Sequence, residues 1–164
     1  MFYRRNWIAV IIVILGIAMF IPVAQAERQE FENILCGAGT FDVVQFSKEI
    51  SVLSEDSKGI FRSTQESKLF DNWTNHSVNV AKGQDGKWVW NGFGKRMAPD
   101  GEFIITEFSG GSEGGGTHKF IYGTGKWSGI KGEFKSKRIT AGKSITQGTE
   151  QLCDKQEGWL ELPK

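Results

Sequence analysis

The sequence predicts an all-β fold, a single antiparallel up-and-down β-barrel of about eight strands that follows a signal peptide. Three observations predict it. Beyond residue 26 there is hardly any 3.6-residue apolar period, and short runs of alternating residues are separated by turn-forming residues. All of the 21 glycines except Gly16 lie in this part of the chain. Glycine weakens a strand unless it allows a bend or a close approach, so glycines such as Gly92 and Gly132 favour a small barrel over a flat sandwich.

The first 26 residues have the features of a signal peptide. Arg4 and Arg5 form a positive start, residues 8–21 are apolar but for one glycine, and Ala24-Gln25-Ala26 has the small-x-small pattern of a cleavage site. The alternative is an uncleaved membrane anchor, but a span needs about 20 apolar residues and this run is shorter. We therefore expect a mature chain that begins at Glu27, carries no stable membrane span and is periplasmic or secreted, by general secretion rather than twin-arginine export.

The remaining chain is one domain, residues 27–164, by its length. Without Arg4 and Arg5 it has 18 of the 20 basic residues against 19 acidic ones, so it is close to neutral. No basic stripe is left to follow a phosphate backbone, which argues against nucleic acid as a partner.

Strand runs follow one another along this domain. Gln84-Asp85-Gly86 and Pro99-Asp100-Gly101 are the clearest turns, and Trp88 and Trp90 lie two apart, hence on one face of their strand. Residues 27–35 are expected to form a helical turn or two, residues 55–58 a turn, and residues 110–116 a flexible glycine-rich loop. The expected strands are 39–46, 59–67, 77–81, 87–97, 102–109, 117–123, 132–139, 144–153 and 159–162.

Cys36 and Cys153 are the two cysteines of the chain, one near each end of the domain. An exported protein with an even number of cysteines usually pairs them, so we expect a disulfide that joins the first strand to the last. The alternative is a metal site. Two cysteines without a CxxC spacing and two distant histidines do not make a zinc site.

The glycine-rich stretch YGTGKWSGIKG, residues 122–132, raises the question of a phosphate-binding loop. A P-loop needs the pattern GxxxxGK[ST], but Phe120 stands in place of the first glycine and Trp127 in place of the hydroxyl residue, and no helix pattern follows. A dinucleotide fingerprint fails because it also needs a long helix. We therefore expect no cofactor, and a short turn over residues 126–130 on which Trp127 and Ile130 face the core and plug one end of the barrel.

The stretch from Phe120 to Gly132 resembles the signature turn of the allene oxide cyclase-like and dirigent-like barrels. Their usual form is Gly-Gly-Thr-Gly, a basic residue, an aromatic residue and a small pair, ending in glycine. Tyr122 stands here where the first glycine is usual. The resemblance implies the barrel fold and no particular chemistry, because such barrels include cyclases, stereochemical guides and proteins without a known role. The catalytic residues of those families match no positions of this sequence.

Strand parity selects candidate ligand-binding residues. The odd positions from Lys131 to Lys137 are all charged and are expected to face water, so the even positions, Arg138 among them, are expected to face inward. The same reasoning, with Lys119 and Glu102 taken as outward, directs His118, Tyr122 and Glu107 inward. The inward set combines aromatic residues with a few polar groups, as ligand sites do. The candidates are Glu107, His118, Tyr122 and Arg138. The plainer alternative is that Arg138 and Glu107 pair at the barrel mouth and His118 lies in solvent.

Two function classes remain open. The first is an exported barrel that binds a small, partly apolar molecule and isomerises or cyclises it by shape and general acid–base help. The second is a non-catalytic envelope module for binding or structure, with a barrel filled by side chains. The volume of the barrel interior discriminates between them, whereas the identity of a ligand, the catalytic residues and the oligomeric state are not indicated by the sequence.

Overall fold

The computed structural model describes residues 27–112 and 115–163, so the predicted signal peptide lies outside the described residues. The eight strands of this part form one closed antiparallel barrel in which each strand pairs with its neighbours in the chain and β1 pairs with β8. This confirms the predicted up-and-down barrel. The strands are β1 (Glu27–Gln45), β2 (Ile50–Ser63), β3 (Thr74–Gln84), β4 (Lys87–Met97), β5 (Phe103–Gly111), β6 (Gly115–Gly123), β7 (Lys131–Ala141) and β8 (Thr149–Leu162).

The seam between β1 and β8 carries the disulfide. Cys36 and Cys153 are directly opposite each other in the antiparallel register, and their sulfur atoms are bonded. The predicted pairing of the two cysteines is confirmed. The bond joins two cysteines that are 117 residues apart in the chain, in the strand pair that closes the barrel.

A cluster of aromatic and aliphatic side chains fills one end of the barrel, which we call the closed end. A 3-10 turn at Gly125–Trp127 lies there, and both Trp127 and Ile130 are buried, so the prediction that they plug a barrel end is confirmed. Phe31 and Trp73 each meet Phe70 edge to face, with ring centroids 5.0 Å apart. The cluster comprises Phe31, Phe61, Phe70, Trp73, Ala98, Ile104, Phe120, Trp127, Ile130, Phe134 and Leu160.

Several element boundaries differ from the expectation. Residues 27–35 are not helical, because the β1–β8 pairing extends to Glu27, opposite Leu162. The expected turn at residues 55–58 lies inside β2, where each residue has a partner on β1 and another on β3. The glycines at 110, 111, 115 and 116 are strand residues rather than a loop. The expected strands 144–153 and 159–162 are replaced by one continuous strand that begins only at Thr149.

Two glycines show why the barrel needs this residue type. Gly92 lies so close to the backbone of β3 that a Cβ atom would collide with the carbonyl oxygen of Val78. Gly132 has a φ of 139°, and a Cβ atom there would collide with the carbonyl oxygen of Trp159. Larger residues at either position would push neighbouring strands apart, as expected for the corners of a small barrel.

None of the helical segments in residues 27–112 and 115–163 is long and apolar enough to cross a membrane.

We expect Cys36→Ser to lower the free energy of unfolding by about 2–5 kcal/mol, since the disulfide closes a very long loop of the unfolded chain. Urea denaturation of the variant and of the oxidised wild type measures the difference. Wild-type protein treated with a reductant is the control and should match the variant. An unchanged unfolding midpoint in both would show that barrel closure does not depend on the bond.

Candidate functional site

A cavity of about 810 Å³ occupies the barrel interior beyond the aromatic cluster. It extends to the end of the barrel where the β3–β4 and β5–β6 hairpins lie, because Trp88, Ser112 and Gly115 are among its walls. We call this the open end. Pockets for small molecules usually measure roughly 300–1,000 Å³, so the cavity has the size of a ligand site. The barrel is therefore filled with side chains at one end only, which contradicts the filled-barrel alternative.

The cavity exists because the inward positions toward the open end carry small residues. Near the open end, the inward positions are occupied by Ser57, Ser77, Ala81 and Gly94. Near the closed end, inward positions carry Phe61 and other large residues. The hydroxyl groups of Ser57 and Ser77 are 2.8 Å apart and satisfy each other. Small side chains that pair locally leave the volume above them unfilled.

A layer of polar side chains separates the cavity from the aromatic cluster. We call it the polar belt, and every strand except β2 supplies one member. The strand register places belt residues side by side on adjacent strands. Gln156 of β8 lies opposite Asn33 of β1 on one side and opposite Ser136 of β7 on the other. The members are Asn33, Asn75, Arg96, Thr106, His118, Ser136 and Gln156.

Arg96 is the centre of the belt, and its guanidinium group is stacked on aromatic rings. The guanidinium carbon lies 4.1 Å from the ring centre of Phe134 and 4.7 Å from that of Phe61, and the rings of Phe70 and Phe120 lie within 6 Å. The negative faces of these rings attract the cation. The side chain is only 2% exposed, so this attraction acts with little screening by water.

The edges of the same guanidinium group are almost without partners. One donor, at Nη2, reaches the side-chain oxygen of Gln156 at 2.9 Å, whereas Nε and Nη1 meet no acceptor in the described chain. Burial lowers the pKa of Arg96 to about 9, so the group is still a cation at neutral pH. The belt thus holds a buried positive charge with hydrogen-bond donors to spare.

His118 lies beside this charge and is neutral. Its Nε2 is 2.9 Å from the hydroxyl oxygen of Ser136, and its ring stacks on Phe134 with centroids 4.2 Å apart. Burial, together with the smaller effect of the charge of Arg96, lowers the pKa of His118 to about 3. Arg96 is therefore the one charged member of the belt.

Apolar side chains form much of the wall above the belt. Trp88 and Trp90 both line the cavity, which confirms that they share a face of β4. Leu53, Ala81, Phe108 and Leu152 complete the apolar part of the wall. Flat aromatic faces of this kind bind apolar or aromatic molecules with little loss of side-chain entropy.

Charged residues collect toward the open end. The guanidinium of Arg138 lies 3.5 Å from a carboxylate oxygen of Asp154 and 4.0 Å from one of Glu150. Glu55 accepts a hydrogen bond of 2.9 Å from the amide of Asn79. Arg138 pairs with two carboxyl groups, and Glu55 adds a third beside Glu150, so this cluster has more carboxyl groups than cations, in contrast to the belt.

Two carboxyl groups of this cluster, those of Glu150 and Asp154, hold their protons more tightly than usual. Burial, followed by the charge and the hydrogen bond of Glu55, raises the pKa of Glu150 to about 7, against the opposing effect of Arg138. Burial likewise raises the pKa of Asp154, whereas Arg138 lowers it. A carboxyl with a pKa near neutrality is able to donate or accept a proton under physiological conditions.

Two of the four candidate residues from the sequence lie in the cavity. His118 lines its lower part and Arg138 its open end, where the Arg138 side chain is 55% exposed. Arg138 pairs with Asp154 and Glu150 and not with Glu107, so the alternative in which Arg138 and Glu107 pair at the barrel mouth is wrong. A role of His118 and Arg138 in ligand binding stays a prediction.

Glu107 and Tyr122 face outward, and their expected inward orientation is wrong. Glu107 is exposed and lies opposite Lys119 on the outer surface. The parity was taken from Glu102, but this residue lies in the turn before β5, where its carboxylate accepts a hydrogen bond from the amide of Lys126. Tyr122 is 55% exposed, because a β-bulge shifts the register between Thr106 and Ile105 and reverses the parity of β6 beyond Phe120.

Sequence reasoning missed Arg96 and the three carboxyl groups. A signal for Arg96 is present, since it has the same parity on β4 as Trp88 and Trp90 and therefore shares their inward face. Glu55 was assigned to a turn. Glu150 and Asp154 have no parity signal, because β8 carries polar residues on both faces.

No group of three or more His, Cys, Asp or Glu residues within the described ranges is arranged to hold a metal ion. The polar atoms of the belt are amides, a guanidinium, a neutral imidazole and hydroxyl groups, which suit an organic or anionic ligand better than a cation.

No family model matches the sequence, and no curated protein matches it. The structure is similar to that of the pterocarpan synthase dirigent protein GePTS1, with a TM-score of 0.53 and 9% sequence identity over 88% of this chain and 94% of that chain. For the pterocarpan synthase dirigent protein PsPTS1 the TM-score is 0.47 and the identity 14%, over 85% of this chain and 97% of that chain. At 9% identity the likeness concerns the fold and not the chemistry. This chain has the dirigent-like β-barrel fold that the motif from Phe120 to Gly132 predicts.

Proposed function

We propose that this protein is an exported barrel that binds a small, partly apolar molecule in its cavity. The cavity of about 810 Å³ is the observation that carries the proposal. It is closed at one end by the aromatic cluster, so a ligand enters from the open end and is enclosed on its sides by the barrel wall. Trp88, Trp90 and Phe108 offer apolar contact area, and the belt and the charged cluster offer polar groups at the two ends.

A second candidate is an isomerisation or cyclisation of the bound molecule. One observation favours it, the raised pKa of Glu150 within a cluster that faces the cavity. A carboxyl that titrates near neutral pH is suited to general acid–base catalysis, and an enclosed apolar cavity restricts the conformations of a flexible substrate. Both effects are those that a cyclase or isomerase needs.

The export part of the proposal rests on the signal-peptide pattern of residues 1–26 and is supported by the disulfide. Disulfides persist in oxidising compartments and are rare in the cytosol. We place the mature protein in the periplasm or the medium.

We expect N-phenyl-1-naphthylamine, an uncharged fluorescent probe, to bind in the cavity, and Trp90→Ala to weaken its binding by about tenfold. Fluorescence titration measures the affinity. Phe93→Ala is the matched control, because Phe93 is an exposed aromatic residue on the outer face of the same strand. Equal affinity of Trp90→Ala and wild type would place the probe outside the cavity, and a failure of the probe to bind would overturn the proposed function.

We expect the stability of the wild type to fall, relative to Glu150→Gln, as the pH rises from about 4.5 to above 7. Burial and Glu55 raise the pKa of Glu150 from 4.5 to about 7, so the folded state binds this proton more tightly than the unfolded state. The contribution of Glu150 to the free energy of unfolding is therefore fully present below about pH 4.5 and is lost as the pH rises to above 7. The side chain is partly exposed, so the effect is on the order of 1 kcal/mol.

Urea denaturation at a series of pH values tests this expectation. Glu133→Gln, which removes an exposed carboxylate on β7, is the control and should follow the wild-type profile. Parallel profiles for Glu150→Gln and wild type would show that Glu150 titrates normally and would remove the argument for acid–base catalysis.

We expect protein recovered from the exported compartment to begin at Glu27, since Ala24-Gln25-Ala26 forms the cleavage site. N-terminal sequencing and intact mass measure the start of the chain. Ala26→Arg is expected to block cleavage and keep the protein attached to the membrane. Recovery of the wild type with residues 1–26 still present would contradict the export proposal.

A further inference from the structure

We propose that the ligand carries a carboxylate group and that Arg96 binds this group at the base of the cavity. The inference rests on the proposed function, because it concerns the same cavity. It assigns a ligand class, small aryl or alkyl monocarboxylates, and a binding residue that strand parity had not singled out.

The first observation is the unpartnered donors of Arg96. The Nε and Nη1 atoms are buried without an acceptor, and one bond, to Gln156, is the only hydrogen bond of the guanidinium group in the described chain. Buried donors in folded proteins nearly always have partners, and each exception calls for an explanation. A guanidinium group carries five donors, and a carboxylate is the acceptor that matches them best.

The second observation is a neighbouring amide in the same condition. The side chain of Asn33 is fully buried, and neither its oxygen nor its nitrogen has a partner. Asn33 lies opposite Gln156, the residue that Arg96 does contact. Unused donors therefore come from two strands, β1 and β4, and both belong to the polar belt.

The third observation is that no protein anion neutralises Arg96. Its charge forms no ion pair with any carboxylate in the described residues, while the nearby acidic residues Glu55, Glu150 and Asp154 belong to the cluster at the open end. His118 is neutral and does not compensate the charge. A buried cation without an anion is costly, and the aromatic rings offset only part of that cost.

Phe61 and Phe134 stack against the faces of the guanidinium group, and the donors at Nε and Nη1, which lie in its plane, remain unused. A carboxylate that comes from the cavity approaches in that plane and completes the coordination of the group. One cation among neutral groups matches one negative charge, which favours a monocarboxylate over a phosphate with two.

The charge distribution also orients the ligand. The base of the cavity is positive at Arg96, and the open end is negative at Glu55, Glu150 and Asp154, with Arg138 offsetting part of that charge. A molecule with a carboxylate at one end and a hydroxyl or other donor at the other end fits this field in one direction only. The apolar walls between the two ends accommodate its hydrocarbon part.

A pair of competitors of nearly equal shape tests the proposal. We expect 4-phenylbutanoate to displace N-phenyl-1-naphthylamine from the wild type at concentrations at least tenfold lower than 4-phenylbutanamide, which lacks the charge. Arg96→Met, which keeps an apolar side chain between the two rings, should remove this preference and leave probe binding intact. Lys95→Met is the matched control, since Lys95 is the adjacent residue on the outer face of β4, and it should keep the preference.

A second measurement keeps the test independent of how the Arg96 variant folds. In ¹⁵N spectra of the wild type, 4-phenylbutanoate should shift the Arg96 Nε–H resonance, and 4-phenylbutanamide should not.

The outcomes separate the two proposals. If the probe does not bind to the wild type, the proposed function fails. If the probe binds but the two competitors are equivalent and the Arg96 resonance does not move, the cavity stands and the carboxylate site is wrong. If Arg138→Met removes the preference while Arg96→Met does not, the anion binds at the open end and the inference is overturned.

Discussion

The pairing of β1 with β8 is the constraint on which the rest of the structure depends. Because β1 also pairs with β2, the sheet has no free edge, and its inner face becomes an enclosed interior instead of a solvated surface. The disulfide lies in this seam and ties the two strands together between residues that are 117 positions apart in the chain. Arg96 and the seam residue Gln156 contact each other only because the barrel closes.

The distribution of side-chain size along the inner face determines what the enclosed space becomes. Large rings such as Phe61, Phe70 and Phe134 fill the closed end, and a hydrophobic cluster there stabilises the barrel. Serine, alanine and glycine occupy inward positions nearer the open end and leave a cavity. The aromatic cluster and the cavity thus lie at opposite ends of one barrel, so a wall residue such as Trp90 can change without loss of the aromatic cluster.

The two charged regions of the interior differ in how the protein compensates them. At the open end Arg138 offsets part of the acidic charge of Asp154 and Glu150. At the base, aromatic rings and one amide are the groups that stabilise Arg96 within residues 27–112 and 115–163. Such an arrangement has little value for folding, since a buried apolar residue of similar size generally stabilises a core at least as well. The carboxylate ligand proposed above accounts for a buried cation at this position.

The sequence by itself determined the fold class, the hairpin turns at residues 84–86 and 99–101, and the disulfide. These follow from local signals: alternation, the turn at Asp85-Gly86, the motif from Phe120 to Gly132 and the pairing rule for exported cysteines. Parity also directed His118 and Arg138 to the cavity, because no irregularity separates them from the charged residues that set their faces.

Only the tertiary structure decided the faces of Glu107 and Tyr122 and the place of Arg96. Glu102 lies before the start of β5 at Phe103, so its outward direction does not set the inward and outward alternation of that strand. In β6, a bulge reverses the alternation before Tyr122. Both are set by hydrogen bonds to neighbouring strands, which the sequence of one strand does not encode. The contact of Arg96 with Gln156 joins residues 60 positions apart. It depends on barrel closure, and closure is a property of all eight strands together.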